Sequence, residues 1–276
     1  MPRVIGYGGN VFVGDQIVED CEDAWDEQAI PNVTPTADTT DLRVGNASAK
    51  FACAAIFGLG IVGTEVVVLP TLAAYTVLYG WVKSSVNTTA IDDYRILIDN
   101  HALCASPDCE CSLPVLTANV WKFCIMPVVA GSFAAANLPI SVGLELMAND
   151  PGLCDVWLDH IVAARQVEGI RSWSLDQVAN VQDVSAYSDG QDKVFIVTQK
   201  EWSGSFEGFK NQAPLAVGTN VGLELFEAEP VWPIVPTQSW RGMAIITNCR
   251  PSSVVDGVIQ YAYDFQGIYN LEVPSA

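Results

Sequence analysis

Positively charged side chains are scarce in this sequence. Its 276 residues include 13 Lys and Arg against 32 Asp and Glu, and the formal net charge is −19 at pH 7. Wrapping of nucleic acid and binding to anionic membranes both depend on Lys and Arg, so the composition argues against both. An acidic wall can nevertheless lie beside DNA, because repulsion helps DNA to slide past without being held.

Histidine is equally scarce, and motifs of common enzymes are missing. The chain has two His, His101 and His160, and contains no P-loop, no nucleophile elbow and no HExxH zinc motif. The N-terminal "GYGGNVFVG" is rich in glycine, but a phosphate-binding loop needs a helix after it and no helical pattern follows. We therefore predict that the protein is not an enzyme.

Long unbroken apolar runs are missing too. "FACAAIFGLGIVG" and "VVVLPTLAAYTVLYGWV" are the most apolar stretches, and Glu65, Pro70 and several Gly interrupt them. A membrane-spanning helix needs about 20 mostly apolar residues in succession, so buried strands are the better interpretation. No basic segment followed by an apolar one opens the chain, and we expect neither a signal peptide nor a membrane partner.

The eight Cys do not follow the spacing of a zinc site. "CASPDCEC" gathers Cys104, Cys109 and Cys111, with His101 nearby. Tetrahedral zinc sites are usually built from two closely spaced ligand pairs, which this cluster does not provide. Reduced thiols, a local disulfide and zinc all remain open from the sequence.

What the sequence does contain is a series of strand patterns. Short segments rich in Val, Ile and aromatic residues alternate with Gly, Pro, Asn and Asp, which is typical of mostly β proteins. "RSWSLD" begins at Arg171 and "EWSGSFEGF" at Glu201. Their period of two places Trp173 with Leu175 on one face and Trp202 with Phe206 on one face. We expect an antiparallel sheet of four or five strands in this part of the chain.

From Val167 onward the sequence resembles the tail tube proteins of long-tailed bacteriophages. The resemblance rests on the ordered series "SWSLD", "DVSAYSDG", "WSGSFEGF", "PLAVGTNVGLELF" and "WRGMAIITNCRPSSVVDGVIQYAYDFQG". The opening "VIGYGGNVFVG" resembles the start of the same proteins. The resemblance implies a discontinuous tail tube domain, residues 1–16 and 167–276, whose first strand lies about 150 residues upstream of its neighbours.

The intervening residues, 17–166, resemble a galactose-binding-like jelly roll of the carbohydrate-binding-module type. This resemblance rests on "VEDCEDAW", "DLRVGNASAKFA", "AYTVLYGWVKSS", "RILIDN", "LTANVWKFCI" and "DVWLDHIVA". The first and last strands of that fold lie side by side, which suits insertion into a hairpin. The expected fold is therefore mostly β: a tail tube β-sandwich or barrel-forming domain with an inserted β jelly roll.

Two ligand sites follow from the second resemblance. Jelly rolls of this type bind structural Ca²⁺ between opening acidic residues and an Asp of the last strand. Here those residues would be Glu19, Asp20 and Asp159, joined by Asp38 or Asp41, and the alternative is that they are solvated turn residues. Trp25, in the polar stretch "EDAWDEQ", is the best candidate for a glycan contact, with packing in the core as the alternative.

The first resemblance implies a structural protein of the virion, assembled in the host cytoplasm. Stacked rings, hexameric in the family, would form the conduit for DNA, and the insert would decorate the outside, where it could contact host-surface glycans. The partners would be further copies of the chain, the tape-measure protein and other tail proteins. Asp176, Glu201 and Glu207 are predicted to face the lumen, where like charge keeps DNA off the wall. The alternative is that these acids lie outside and serve solubility.

Other functions stay open alongside the tail tube. The chain could be a carbohydrate-binding adhesion module whose tube-like part serves as an attachment platform. It could also be a capsid decoration protein or a tail terminator with the same fold. The sequence does not decide among them.

Overall fold

The computed structural model describes residues 4–25, 28–29, 32–54, 58–167, 170–185, 193–209, 213–227, 239–253 and 259–274. The regular structure of the described residues is strand apart from one short 3-10 turn, so the prediction of a mostly β fold is confirmed. In chain order the strands are β1 Val4–Tyr7, β2 Gly9–Glu19, β3 Gln28–Ala29, β4 Val33–Asp38, β5 Ser48–Cys53, β6 Gly60–Val66, β7 Val77–Ser84, β8 Tyr94–Asp99, β9 Cys109–Ser112, β10 Lys122–Gly131, β11 Ser141–Leu146, β12 Cys154–Val167, β13 Ile170–Asp183, β14 Phe195–Phe209, β15 Asn220–Phe226, β16 Ser239–Ser253 and β17 Ile259–Glu272.

Helical structure in the described part of the chain consists of one short 3-10 turn, Ala102–Cys104. No helix among these residues is long and apolar enough to cross a membrane. The backbone hydrogen bonds of the chain are therefore satisfied mainly between strands, and long-range pairing defines both halves of the fold.

Two compact units make up the chain. Unit 1 contains Met1–Val13 and Val167–Ala276, and unit 2 contains Gly14–Gln166. The insert predicted from the sequence, 17–166, ends at the same residue as unit 2 and begins three residues later. Strands β2 and β12 carry the chain from one unit into the other.

Unit 2 is a sandwich of two antiparallel sheets. The first sheet has the order β4–β5–β12–β7–β10, and the second has the order β3–β6–β11–β8–β9. Strand β10 belongs to both, because its first part pairs with β7 and its last part pairs with β9. Alternation separates the two faces of the first sheet: Val82 and Leu158 enter the core between the sheets, while their neighbours Lys83 and Trp157 point the other way.

A bulge interrupts the last strand of unit 2. Asp159 lies opposite Trp81, but the next paired residue is Val162, opposite Tyr79. His160, between them, has a positive φ of 54°, which is uncommon for a residue other than Gly. The bulge begins immediately after Asp159, at a point where several buried polar groups meet.

Unit 1 contains one antiparallel sheet with the order β1–β13–β14–β17–β16–β15–β2. Its core includes Trp173 and Leu175 from β13 and Trp202 and Phe206 from β14, as the period of two predicts. The two Trp-Ser segments are adjacent strands, and their upstream neighbour is β1, whose Val4 lies opposite Leu175. Five strands come from the C-terminal part, in agreement with the expected four or five.

Packing explains why the last residue of the "FQG" segment, Gly267, is a glycine. A Cβ atom on Gly267 would lie 2.0 Å from Cε2 of the Trp202 indole. Real Cβ atoms do not approach other heavy atoms so closely, so this position accepts only a residue without a side chain. Trp202 also meets Phe265 edge-on, at 5.9 Å between ring centroids.

Candidate functional site

Three tryptophans lie with three cations on the side of the first sheet of unit 2 that faces away from its core. We call Trp81, Trp121 and Trp157, with Arg43, Lys50 and Lys83, the tryptophan face. Strands β5, β7 and β12 supply both lysines and two of the tryptophans. Arg43 belongs to the segment between β4 and β5, which we call the covering loop, residues 39–47.

Trp157 lies between two ammonium groups. The Nζ atoms of Lys50 and Lys83 are 4.9 and 4.5 Å from its ring centroid, within the range of cation–π attraction. Its indole N–H donates to Asp38 Oδ2 at 3.0 Å. Lys50 also forms an ion pair with Asp155 at 2.9 Å. The ring is therefore already occupied by protein groups.

Asp38 and Asp41 connect the covering loop to the sheet. Hydrogen bonds from Thr40, and then from Trp157, hold the pKa of Asp38 well below its usual range. Burial tends to raise the pKa of Asp41, but hydrogen bonds from Lys83 and Trp121 outweigh it and lower the pKa. The Trp121 indole donates to Asp41 Oδ1 at 2.6 Å. Both carboxylates therefore act as anchors for the loop.

The guanidinium of Arg43 lies between two rings. Its Cζ is 5.8 Å from the ring centroid of Trp81 and 5.9 Å from that of Trp121. Burial lowers the pKa of Arg43, with partial compensation from Asp41 and Asp159. Every ring of the tryptophan face thus has a cation of the same unit beside it, an arrangement that closes the rings to a stacking ligand.

The predicted calcium ligand Asp159 is buried and lies beneath the covering loop. Its Oδ2 accepts the backbone N–H groups of Arg43 and Val44, at 2.5 and 3.0 Å. Burial raises the pKa of Asp159 to about 6, and these two hydrogen bonds partly oppose the rise. Asp159 therefore binds hydrogen-bond donors of the loop.

The other two predicted ligands have different surroundings. Burial raises the pKa of Glu19 to about 7, a hydrogen bond from Cys21 lowers it, and acidic neighbours such as Asp20 raise it further. Asp20 is exposed, and its Oδ1 accepts the N–H of Glu22 at 3.2 Å. Among the described residues, no three His, Cys, Asp or Glu side chains form a group that could hold a metal ion. Calcium binding stays a prediction.

The interpretation of Trp25 as a surface aromatic is wrong. The side chain is 0% exposed and belongs to the core of unit 2, where it meets Phe51 edge-on at 5.6 Å between centroids. The alternative, packing in the core, is the one that the structure shows, because the side chain turns inward from a polar stretch of the chain. A glycan cannot reach the ring in this fold.

The cysteines are all free, including those of "CASPDCEC". The Cys104 thiol lies 3.3 Å from Ser141 Oγ, and burial raises its pKa to about 11. Cys109 and Cys111 lie in the core with their Sγ atoms 4.0 Å apart. A nucleophilic thiol needs a lowered pKa and access to solvent, and Cys104 has neither.

The three acids predicted to face the lumen lie on one face of unit 1. Asp176, Glu201 and Glu207 are all exposed. Glu207 lies opposite Ser172, and Glu201 lies opposite Val178, which has the same strand parity as Asp176. This face points away from the core that Trp173 and Phe206 fill.

Serine side chains form hydrogen bonds on the surface around these acids. We call this surface the serine face, and it consists of Ser172, Ser174, Asp176, Glu201, Ser203, Ser205 and Glu207. Ser172 Oγ donates to Glu207 at 2.8 Å, and the hydroxyls of Ser174 and Ser205 are 2.9 Å apart. The described residues place the acids together on one face. Whether that face lines a lumen is a property of an assembly and stays a prediction.

The ends of β13 and β14 form a two-stranded ribbon that leaves the rest of the sheet. We define the ribbon as residues 176–183 and 195–202. Among the described residues, β1 pairs with β13 as far as Leu175, and β17 pairs with β14 from Ser203. Both outer edges of the ribbon therefore lack a partner strand in the described part of unit 1.

Apolar side chains of the ribbon are exposed on both of its faces. Val181 is 59% exposed and continues the row of Trp173 and Leu175, and its cross-strand partner Val197 is 56% exposed. Phe195, on the same face, is 54% exposed. The apolar side of the sheet thus continues past the end of its own core. The uninterrupted apolar run "VFIV" at 194–197 is the sequence signal for this exposure. A strand covered on one side only would alternate apolar and polar residues.

Comparison of the chain with protein-family models found no match, and a search of curated proteins also found none.

Proposed function

We propose that this chain is a structural subunit that assembles with copies of itself, and that the assembly is the tail tube of a long-tailed bacteriophage. The single observation that carries the proposal is the ribbon, whose two edges have no partner strand in the described part of unit 1 and whose two faces carry exposed apolar side chains. The tail tube identity rests on the ordered sequence series from Val167 onward and on its separation from "VIGYGGNVFVG" by an insert.

A second copy of the chain is the partner that the ribbon fits. An isolated two-stranded ribbon is only marginally stable in water, and exposed strand edges are templates for pairing. The two edges differ, because one belongs to β13 and the other to β14. A contact between different edges is head-to-tail, and such contacts close into rings when the rotation between subunits permits. Every ribbon edge would then be covered.

The serine face supports the DNA-conduit part of the proposal. It gathers Asp176, Glu201 and Glu207 around the hydroxyl groups of Ser174 and Ser205. Arg250 lies beside this face, and its charge is paired with Asp264 at 2.6 Å. In a ring built from this sheet, such a face would repel phosphate groups and leave DNA free to pass. Unit 2 would lie on the outside of the ring, where the extra domain has room.

Removal of the apolar ribbon side chains tests assembly. Val181→Ser, Phe195→Ser and Val197→Ser combined should leave the far-ultraviolet circular dichroism unchanged and abolish rings or tubes in negative-stain images. The matched control is Val68→Ser with Leu153→Ser, two apolar residues of unit 2 that are 91% and 74% exposed. This control should assemble like the wild type. Wild-type chains that stay monomeric at high concentration and shift on a glycan array would favour the carbohydrate-binding function instead.

Charge reversal tests the conduit. Tubes built from the Asp176→Lys, Glu201→Lys, Glu207→Lys variant should retain duplex DNA, while wild-type tubes should not. Retention should weaken steeply as salt increases, because each Lys–phosphate contact releases counterions. Variant tubes that assemble and still ignore DNA at low salt would refute the lumen assignment.

A further inference from the structure

Three buried polar atoms meet beneath the covering loop without hydrogen-bond partners among the described residues. They are Asp159 Oδ1, Arg43 Nε and Trp81 Nε1. Trp81 and Asp159 lie directly opposite each other on β7 and β12, so their side chains leave the sheet on the same side. The backbone of Arg43 is hydrogen-bonded to Asp159, and its guanidinium carbon is 5.8 Å from the Trp81 ring centroid. The three atoms therefore share one small region.

Buried polar atoms without partners are rare in folded proteins, because each loses its hydrogen bonds to water on folding. Two of these atoms are donors and one is an acceptor. A water molecule can accept two hydrogen bonds and donate one, and buried waters typically make about three hydrogen bonds. The two donors and one acceptor therefore match the hydrogen bonds that one buried water molecule makes.

The same donor set argues against a cation. Calcium binds six to eight oxygen atoms. Here the groups that bond to Asp159 Oδ2 or lie near its Oδ1 are N–H donors: the backbone amides of Arg43 and Val44, the Arg43 side chain and the Trp81 indole. After burial, the nearby Glu22 carboxylate also raises the pKa of Asp159, but it is itself bonded to the N–H of Asn46. Hydrogen atoms that point toward a site repel a cation, and the guanidinium already supplies a positive charge.

We propose that Asp159, Arg43 and Trp81 enclose one ordered water molecule, and that the Arg43 guanidinium, rather than a calcium ion, is the counter-charge of Asp159. The water completes the attachment of the covering loop to the sheet of unit 2. The loop would then stay closed over the tryptophan face as a permanent part of the fold. This inference is independent of the function proposed for unit 1.

Water-selective nuclear Overhauser spectra of the full, ¹⁵N-labelled chain test the first half. The indole N–H of Trp81 should show a cross-peak to a long-lived water, and Trp81→Phe identifies the signal by its loss. Trp173 is the matched control, since its buried indole donates to the Phe226 carbonyl at 3.2 Å and should show no such peak. A Trp81 signal without a water cross-peak would overturn the proposal.

A crystal structure at high resolution tests the same point without a variant. One water should lie within hydrogen-bond distance of all three atoms. A direct bond from Arg43 Nε to Asp159 Oδ1, with no water, would contradict the proposal.

Calcium addition tests the second half. The melting temperature of the wild-type chain should be the same in EDTA and in millimolar CaCl₂. A ligand that binds only the native state at a hundredfold excess over its Kd would raise it measurably. A calcium-dependent rise that Asp159→Asn abolishes would show that the carboxylate binds the ion and would overturn this half.

Discussion

The two units use buried tryptophan in different ways. In unit 1, Trp173 and Trp202 lie in the core and donate their indole N–H groups to backbone carbonyls, those of Phe226 and Tyr269. In unit 2, Trp121 and Trp157 lie outside the sandwich core and donate to carboxylates of the segment that leads into and through the covering loop.

The two units therefore depend on their tryptophans for different reasons. Unit 1 has one sheet, and Trp173 and Trp202 are large members of the single core that its strands share. Unit 2 has a core between two sheets, and its outer tryptophans are free to hold a loop by hydrogen bonds and cation–π contacts. Loss of the Trp202 indole should therefore unfold unit 1, whereas loss of the Trp157 indole should only loosen unit 2.

The largest expected effect is that of Trp202→Ala. Removal of a large aromatic side chain from a core costs about 3–5 kcal/mol in free energy of unfolding. Hydrogen exchange followed by mass spectrometry should show faster exchange in β13, β14, β16 and β17 and unchanged protection in β5 and β7. The matched variant Trp157→Ala should accelerate exchange in the covering loop alone. Equal loss of protection in both units after Trp202→Ala would mean that they do not unfold separately.

Gly267→Ala probes the same core from the other side. The new methyl group would collide with the Trp202 indole, and overpacking of this kind costs about 1–3 kcal/mol. Urea denaturation should show the loss, and addition of Trp202→Phe should make the double variant less destabilised than the sum of the single changes. Strictly additive losses would mean that the indole is not what excludes a side chain at 267.

Asp38→Ala tests the attachment of the covering loop. The change removes the acceptor for Thr40, Asp41 and the Trp157 indole, and we expect a loss of about 1–2 kcal/mol. Amide exchange within residues 39–47 should accelerate while unit 1 is unaffected. Asp155→Ala is the control, because its partly exposed ion pair with Lys50 should contribute about 0–1 kcal/mol. Equal effects of the two substitutions would remove the special role of Asp38.

The smallest expected effect is a pH dependence in unit 2. The pKa of Glu19 is raised from 4.5 to about 7, so the folded state binds its proton more tightly than the unfolded state. The resulting stabilisation is complete below pH 4.5 and is lost as pH rises through 7, and we expect about 1 kcal/mol after allowance for solvent screening. Asp159, with its pKa raised to about 6, acts in the same direction.

Urea denaturation of unit 2 from pH 5 to pH 8 measures this dependence. Glu19→Gln should flatten the profile, and Glu201→Gln on the serine face of unit 1 should leave it unchanged. A wild-type profile that rises with pH over this range would contradict the assigned direction.

Much of the fold was predictable because its signals are local. The period of two placed Trp173 with Leu175 on one face of their strand and Trp202 with Phe206 on one face of theirs, and all four side chains are buried. The sequence left Trp25 between a surface position and the core, since a polar neighbourhood does not reveal which way a single side chain turns. Sequence reasoning also missed Arg43, Lys50 and Lys83, whose shared location depends on pairing between β5, β7 and β12 and on a loop that crosses them.

The mostly β class and the alternation of the Trp-Ser strands could be read from the sequence, because both follow from local periodicity and composition. Only the tertiary structure decided that Asp159 faces N–H donors, that three tryptophans each receive a cation, and that the ribbon extends past its own core. The first two features arise from residues more than 30 positions apart in the chain, and the third depends on where β1 and β17 stop pairing with β13 and β14. Their encounter depends on strand order and register, which local patterns do not specify.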